Sequence, residues 1–400
     1  MPGHQLTDFL LLPKLKLTGF EQGTLRQVLF HCAVRGNSAF CPHCGMQTFK
    51  VHDRRQVTVK DAPHGTKEKL LVITKRRFRC EGLGCKRVFT EQVDGIKPKA
   101  RLTERMQRAI LFVCDNFANL KAARSHLRVG TKTLYKRHYA QLELKSREYK
   151  NDPWPTTIGI DEHSFIRNKK YGHREFVTMI VDYNNKRLKE VIPSRTVAEL
   201  HQQLAYIPGR EEVKNICMDL SSSYRSFARS HFPNAKIIAD KFHVVRLPMP
   251  ALQKYLKQVK HETKDHKLRR KLLLKNSFKL DQKTRAMIYE WLENHPIIKE
   301  IYLVKETIMK VYQCENAGHA RRILTKLTDA LAFTQIPELK TLRRTLRDWI
   351  NEILNYFENK LTNARTEGYN NVAKQVQKRA YGFKNFANYR LKLLYACQSS

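Results

Sequence analysis

Thr156-Thr157-Ile158-Gly159-Ile160-Asp161 and Lys214-Asn215-Ile216-Cys217-Met218-Asp219 are two short apolar runs that each end on a carboxylate. Their β-branched content and length read as strands. Between them lie two more strand-like runs, Glu175 to Tyr183 (EFVTMIVDY) and Leu188 to Pro193 (LKEVIP), then a helical piece from Thr196 to Tyr206. The order is strand, strand, strand, helix, strand. In a sheet of that order the first and fourth strands lie side by side, which brings Asp161 and Asp219 to one edge. Carboxylates that close repel and raise one another's pKa unless a cation joins them. Hard divalent ions with oxygen ligands answer that need, and Mg²⁺ typically binds through few carboxylates plus phosphate.

This is the strand order of a ribonuclease H-like core. A third carboxylate is needed, and Glu367 is placed to supply it at the start of Thr366 to Ala380 (TEGYNNVAKQVQKRA). At about 100° per residue, Glu367, Asn371, Lys374 and Lys378 fall along one stripe, with Tyr369, Val372 and Val376 opposite. The apolar face is expected on the sheet, and the polar face should aim a metal ligand and two cations into the cleft. Two metal ions held this way can activate a water or a 3′-hydroxyl and stabilise the leaving oxygen of a phosphodiester. Among rival acids, Asp240 closes a further strand-like run (AKIIAD) and precedes Lys241-Phe242-His243, so Asp240, His243 and Asn371 are auxiliary candidates. Asp152, Asp281, Asp329 and Asp348 read as caps or surface charges, and Asp182 closes the second strand. Glu162 should point to the opposite sheet face from Asp161.

The rest of the chain fits a nucleic-acid enzyme. Lys and Arg number 75 against 37 Asp and Glu, a net +38, which suits a polyanionic partner. No apolar run is long enough to span a bilayer. The start, Met1 to Phe20, holds only the short run Phe9 to Leu12 and no small-residue cleavage site, so an intracellular protein is expected. Nine cysteines are too few for a disulfide scaffold. Four of them form two pairs, Cys41/Cys44 in CPHCG and Cys80/Cys85. Together these can make a tetrahedral Cys₄ zinc site, although the second pair is CxxxxC where CxxC is usual. His31, Cys32 and His43 stand nearby as spare ligands. Residues up to about Gly95 read as short-stranded, with Lys69 to Cys80 (KLLVITKRRFRC) beginning as a strand whose Arg76 and Arg77 would meet DNA. Asn119 to Leu127, then Arg128-Val129-Gly130, then Thr131 to Tyr139 have helix-turn-helix proportions, with Gly130 in the turn and Thr131 as cap. Lys132, Lys136 and Arg137 on the second helix would reach DNA. From about Leu252 the chain is almost wholly helical, and Leu342, Leu346, Trp349, Ile353 and Tyr356 form one buried stripe.

Seven motifs in order carry a resemblance over nearly the whole chain: CPHCG (41–45), RRFRCEGLGCKRVF (76–89), IGIDEHSF (158–165), MDLSSSY (218–224), ADKFHVVR (239–246), TNARTEGYNNVAK (362–374) and KRAYGFKNF (378–386). They resemble the DDE transposases of bacterial insertion sequences, most closely the insertion-sequence L-three family. Asp61-Ala62-Pro63 departs from it, since the family tends to have Leu before the Pro. The resemblance implies a multidomain α+β chain: a zinc ribbon (1–98), a helix-turn-helix domain (99–148) and a ribonuclease H-like core in two parts (149–251 and 362–400). An all-helical insertion (252–361) interrupts the core. It implies a catalytic triad of Asp161, Asp219 and Glu367 with two Mg²⁺ (or Mn²⁺), and one structural Zn²⁺ on Cys41, Cys44, Cys80 and Cys85. The implied activity is metal-dependent cleavage and transfer of DNA strands at an element's ends. The partners would be double-stranded DNA, both terminal inverted repeats and target, and a second copy of the chain, in a bacterial cytoplasm at the nucleoid. A domesticated DNA-binding regulator, or a nuclease that cuts without joining, are the alternatives.

Overall fold

Lys67 to Arg79 is dense in Leu, Val and Ile, and in the computed structural model it is one uninterrupted strand. The structure describes residues 11–117, 119–167, 174–259 and 266–398. Of the run Phe9 to Leu12, only Leu11 and Leu12 fall within them, and both are buried. The chain divides into two units, up to Leu144 and from Lys145 onward.

The first unit holds β1 (Leu15–Thr24), β2 (Gln27–Val34), β3 (Ala39–Phe40), β4 (Gln47–Thr48), β5 (Val51–His64), β6 (Lys67–Arg79) and β7 (Val88–Thr90). Strands β1-β2-β6-β5 form a sheet in that order, β7 pairs with β6, and β3 pairs with β4. The region is therefore not short-stranded: β5 and β6 span 14 and 13 residues. Their length follows from a shared apolar face, where Val59, Leu71 and Ile73 are buried with Leu11, Leu12, Leu15 and Cys32. Asp61 lies where β5 loses register with β6, and its buried carboxylate accepts from Thr103 Oγ1 at 2.6 Å and meets Arg105 and Lys69. Asp61, next to the Ala62-Pro63 that departs from the family pattern, thus ties the next helix, Glu104–Asn116, to the sheet.

That helix is followed by Leu120–Leu127 and Thr131–Lys150. Asn119 caps the second by accepting from Ala122 N at 2.9 Å. The turn after it is made by Arg128, in the left-handed region at φ 52°, and not by Gly130, whose φ is not positive. Thr131 lies inside the third helix, and its hydroxyl accepts from Arg124 Nη1 at 3.1 Å. The third helix also runs well past Tyr139.

In the second unit, β8 (Thr157–Arg167), β9 (Arg174–Asp182), β10 (Arg187–Ile192), β11 (Asn215–Met218) and β12 (Lys236–Ala239) form one sheet in the order β10-β9-β8-β11-β12. The first three are antiparallel, while β11 runs parallel to both β8 and β12. Strand alternation feeds two cores. Ile158, Ile160, Ile180 and Ile216 face helices Val197–Leu204 and Ser222–His231, and Val177, Met179 and Val181 face helices Ala364–Arg379 and Phe386–Ala396. Between β12 and Ala364 come nine helices, from Lys241–Arg246 and Met249–Gln258 to Tyr356–Asn359, among the described residues. Their core includes Leu342, Leu346, Trp349, Ile353 and Tyr356, the expected stripe, carried across three short helices. Asn355 Nδ2 donates to Ile237 O at 2.8 Å and so covers the sheet's β12 edge.

The helix Ala364–Arg379 lies hard against β8 at Gly159. A Cβ there would come within 2.4 Å of Thr366 Oγ1 and 2.7 Å of Tyr183 Cε1, whereas at Gly130 it would meet nothing within 4 Å. Gly159→Ala should therefore destabilise the second unit by roughly 1–3 kcal/mol through overpacking. Gly130→Ala should be neutral in the same denaturant titration. Equal effects of the two substitutions would contradict this packing.

Candidate active site and zinc centre

Parallel pairing brings residues of neighbouring strands level. Ile160, Met218 and Ala239 are in register across β8, β11 and β12, so the next residues, Asp161, Asp219 and Asp240, come level. Asp219 and Asp240 stand just past the ends of β11 and β12. Asp161 lies inside β8, which does not end on it as the sequence suggested but runs on to Arg167. They line one cleft of about 500 Å³, together with Glu162, Lys241, His243, Asn363, Glu367, Asn370 and Lys374. Glu162, expected on the other sheet face, borders this cleft and lies 3.5 Å from Arg195.

Asp161 is only 8 % exposed. Its Oδ1 accepts from the Glu162 N–H at 2.7 Å and its Oδ2 from Asn370 Nδ2 at 2.6 Å. Burial, and then the neighbouring Asp219 charge, push its carboxyl up to about 7. Asp240 is buried more deeply, at 3 %, yet its carboxyl is held below the usual range. Burial alone would raise it, but His243 Nδ1 at 2.9 Å and the Asn363 N–H at 3.0 Å outweigh that. His243 Nδ1 also lies 2.8 Å from Asp219 Oδ1. A single N–H serves one acceptor well, and this one is aligned on Asp240. Asp219 Oδ1 therefore keeps an ion-pair contact and no aligned hydrogen bond. Burial would lower the His243 pKa, but the two carboxylates take it up to about 10.

Glu367 stands in the first turn of its helix on the cleft wall. The cleft-facing stripe is Glu367, Asn370 and Lys374. Asn371 and Lys378 are exposed and do not line the cleft, because burial of Thr366, Tyr369, Ala373 and Val376 turns the helix by one position from the expected stripe. Sequence reasoning missed Tyr183, whose three contacts fix the start of this helix. Tyr183 Oη lies within 3.1 Å of Thr362 O, Asn363 Oδ1 and Thr366 Oγ1. A tyrosine just beyond a strand carries no signal by itself. The rival acids have structural roles: Asp182 caps the turn at Asn185 and meets Arg187, Asp152 pairs with Arg187, and Asp281 caps Gln282–Glu293.

Carboxylates level on three strands, an acid on the opposite wall, and buried oxygens of Asp219 and Asn370 without hydrogen-bond partners make a donor set of oxygens. Asp219, Asp240 and His243 bring ligand atoms within 4.8 Å of one another. That chemistry suits a hard divalent cation.

In the first unit the four cysteines converge from two hairpin tips. Cys41 and Cys44 sit between β3 and β4, and Cys80 and Cys85 between β6 and β7. All four sulfurs lie within 4.8 Å of one another, with Cys41–Cys85 at 3.8 Å and Cys44–Cys80 at 3.4 Å. A tetrahedral zinc with bonds of about 2.3 Å would space its sulfurs about 3.8 Å apart, so the four residues fit the ion despite the wide second pair. The spare ligands lie elsewhere. Cys32 is buried in the apolar core, His31 faces Glu21 at 3.3 Å, and His43 faces Arg87 at 3.1 Å. Arg76, expected at DNA, has its guanidinium on Glu91 at 2.7 Å and Gly36 O at 2.8 Å. Arg77 is likewise paired, with Asp53 at 2.9 Å.

Residues 158–393, more than half of the chain, match the family model of the ISL3-type DDE transposase, described as "Transposase". The chain belongs to the ISL3 transposase family. Residues 38–85 of this transposase match the zinc-finger of transposase IS204/IS1001/IS1096/IS1165, and they contain all four cysteines. The transposase for insertion sequence element IS1001 of Bordetella parapertussis is 25 % identical over 366 residues, covering 88 % of this chain and 87 % of that one. The front of this transposase is therefore a zinc ribbon within a multidomain α+β chain. Among the described residues no helix is long and apolar enough to cross a membrane.

One zinc per chain is expected by metal analysis of the purified protein. Cys41→Ser and Cys80→Ser should each lose it and lower the unfolding temperature of the first unit, because structural zinc contributes folding free energy directly. Full zinc retention by both variants would count against the four-cysteine site.

Proposed function

We propose that this transposase cuts and joins DNA with Asp161, Asp219 and Glu367 as its catalytic residues, holding two Mg²⁺ (or Mn²⁺) ions. The observation that carries the reading is the shared cleft: Asp161 and Asp219 level on neighbouring parallel strands, with Glu367 on the wall they face. When bound, such ions would lower the pKa of an attacking water or 3′-hydroxyl and stabilise the leaving oxygen. Asn370 holds Asp161 in orientation. His243 offsets the charge of Asp219 and Asp240, and Lys374 on the cleft wall is placed to grip the scissile strand's backbone. Asp240 has a positioning role: it joins β12 to Asn363, at the start of the Glu367 helix.

The sheet order β10-β9-β8-β11-β12 supports a ribonuclease H-like core, with the helices between β12 and Ala364 as its insertion. The helices Leu120–Leu127 and Thr131–Lys150, joined by a tight turn, support a helix-turn-helix. Lys132 and Lys136 are exposed on its second helix and Arg137 is partly so, which suits reading of the element's terminal repeats. Holding two ends and a target together calls for at least two copies of the chain, acting in the bacterial cytoplasm at the nucleoid.

Asp161→Asn, Asp219→Asn and Glu367→Gln should each cut strand cleavage and transfer by roughly a hundredfold or more while leaving binding to end-bearing duplex intact. Near-normal cleavage by any of them in Mg²⁺ would remove that residue from the triad. The pair Asn370→Ala and Asn371→Ala tests the facing of the helix in the same assay. The first should slow cleavage and the second should not.

A further inference from the structure

The helix Pro337–Asp348 (PELKTLRRTLRD) is divided sharply by burial. Leu339, Leu342 and Leu346 are sunk in the core of the helical region, while Lys340, Arg344 and Arg347 stand exposed. With Arg343, Asp348 and the turn at Leu331 and Ala332, they line a groove of about 560 Å³, separate from the carboxylate cleft. Arg343 is committed, its Nε donating to Thr328 O at 2.7 Å. Among the described residues, Lys340, Arg344 and Arg347 form no ion pair.

In a protein of this charge an exposed lysine means little. Three unpaired cations strung along one wall of a groove mean more. From Lys340 to Arg347 the helix advances about 10 Å at about 1.5 Å per residue. Phosphates along one DNA strand recur about every 3.4 Å of axis, so the row matches about three nucleotides of backbone. Phe333, next in the chain after the groove-lining Ala332, is 84 % exposed, and an exposed aromatic beside cations offers a face for a base or deoxyribose. The groove is also fixed relative to the reacting centre. Arg225 Nη1 donates to Asp348 O at 2.8 Å, and its guanidinium lies 4.2 Å from the Trp349 ring centroid. Arg225 belongs to the helix Ser222–His231, which begins three residues beyond Asp219.

We infer that this groove is a DNA-backbone site, in which Lys340, Arg344 and Arg347 hold the strand flanking the phosphodiester under attack. The inference rests on the strand cleavage and transfer proposed above. It gives the helical region a binding role of its own, held in step with Asp219 through Arg225.

The test uses the full chain, a salt series and two arms: end-bearing duplex alone, and random-sequence target offered to protein already loaded with a pre-cut end. In the variant K340Q/R344Q/R347Q, affinity should fall about tenfold or more near 0.15 M salt. The slope of log affinity against log salt should become shallower by about two to three units. The preference for end over random duplex should not change. The variant R344K/R347K should keep the wild-type slope, and R344Q alone should shift it by about one unit should the triple variant fail to fold. A fall in the first arm assigns the groove to the element's end, and a fall in the second alone assigns it to target. An unchanged slope in both arms overturns the inference, as would be expected for a groove that takes an acidic protein segment. So does loss of slope in R344K/R347K, which would point to shape in place of charge. Failure of the underlying reading would show separately, as wild-type protein that does not cleave end-bearing DNA in Mg²⁺.

Discussion

Everything in the second unit turns on three carboxylates that come level across three parallel strands. Register gives that placement without any choice of side-chain conformation, because the residues after Ile160, Met218 and Ala239 must come level once β8, β11 and β12 pair. The arrangement is electrostatically costly, and the surrounding groups are selected by that cost. Asp161 is met by a backbone N–H and Asn370, and Asp240 by Asn363 and His243. Asp219 is left with the least hydrogen bonding.

The cleft's other acid comes from far along the chain. Glu367 follows Asp240 by more than a hundred residues of helix, so nothing local fixes its approach. The contacts at the start of its helix do so: Asp240 on Asn363, Tyr183 on Thr362, Asn363 and Thr366, and the absence of a side chain at Gly159. Further along, Gln377 donates to the carbonyls of Ser164 and Phe165 at 3.2 and 3.1 Å. The helix is thus pinned along its length to β8, the strand that carries Asp161, and the helical region between can be long without loosening the cleft.

The first unit solves a different problem. Its sheet is long, and its cationic strand β6 spends much of its charge internally, Arg76 on Glu91, Arg77 on Asp53 and Lys69 on Asp61. Charge read from a sequence overstates what is available to DNA, because paired cations release few counterions on binding. The exposed Lys132 and Lys136 and the unpaired row on Pro337–Asp348 are better placed.

The sequence by itself determined the family, the two cysteine pairs, the strand order around Asp161 and Asp219, and the apolar stripe from Leu342 to Tyr356. Each of these is written in spacing or periodicity, and periodicity survives without coordinates. Tertiary structure alone decided which residues of the Glu367 helix face the cleft. A stripe drawn at about 100° per residue cannot tell Asn370 from Asn371 when Tyr369, Ala373 and Val376 are free to settle either way on the sheet. It decided that Arg128 and not Gly130 makes the turn, that β5 and β6 are long, and that Arg76 is consumed by Glu91. It decided the role of Tyr183 as well. These are contacts between residues far apart in the chain, and a partner tens or hundreds of positions away leaves no local pattern to read.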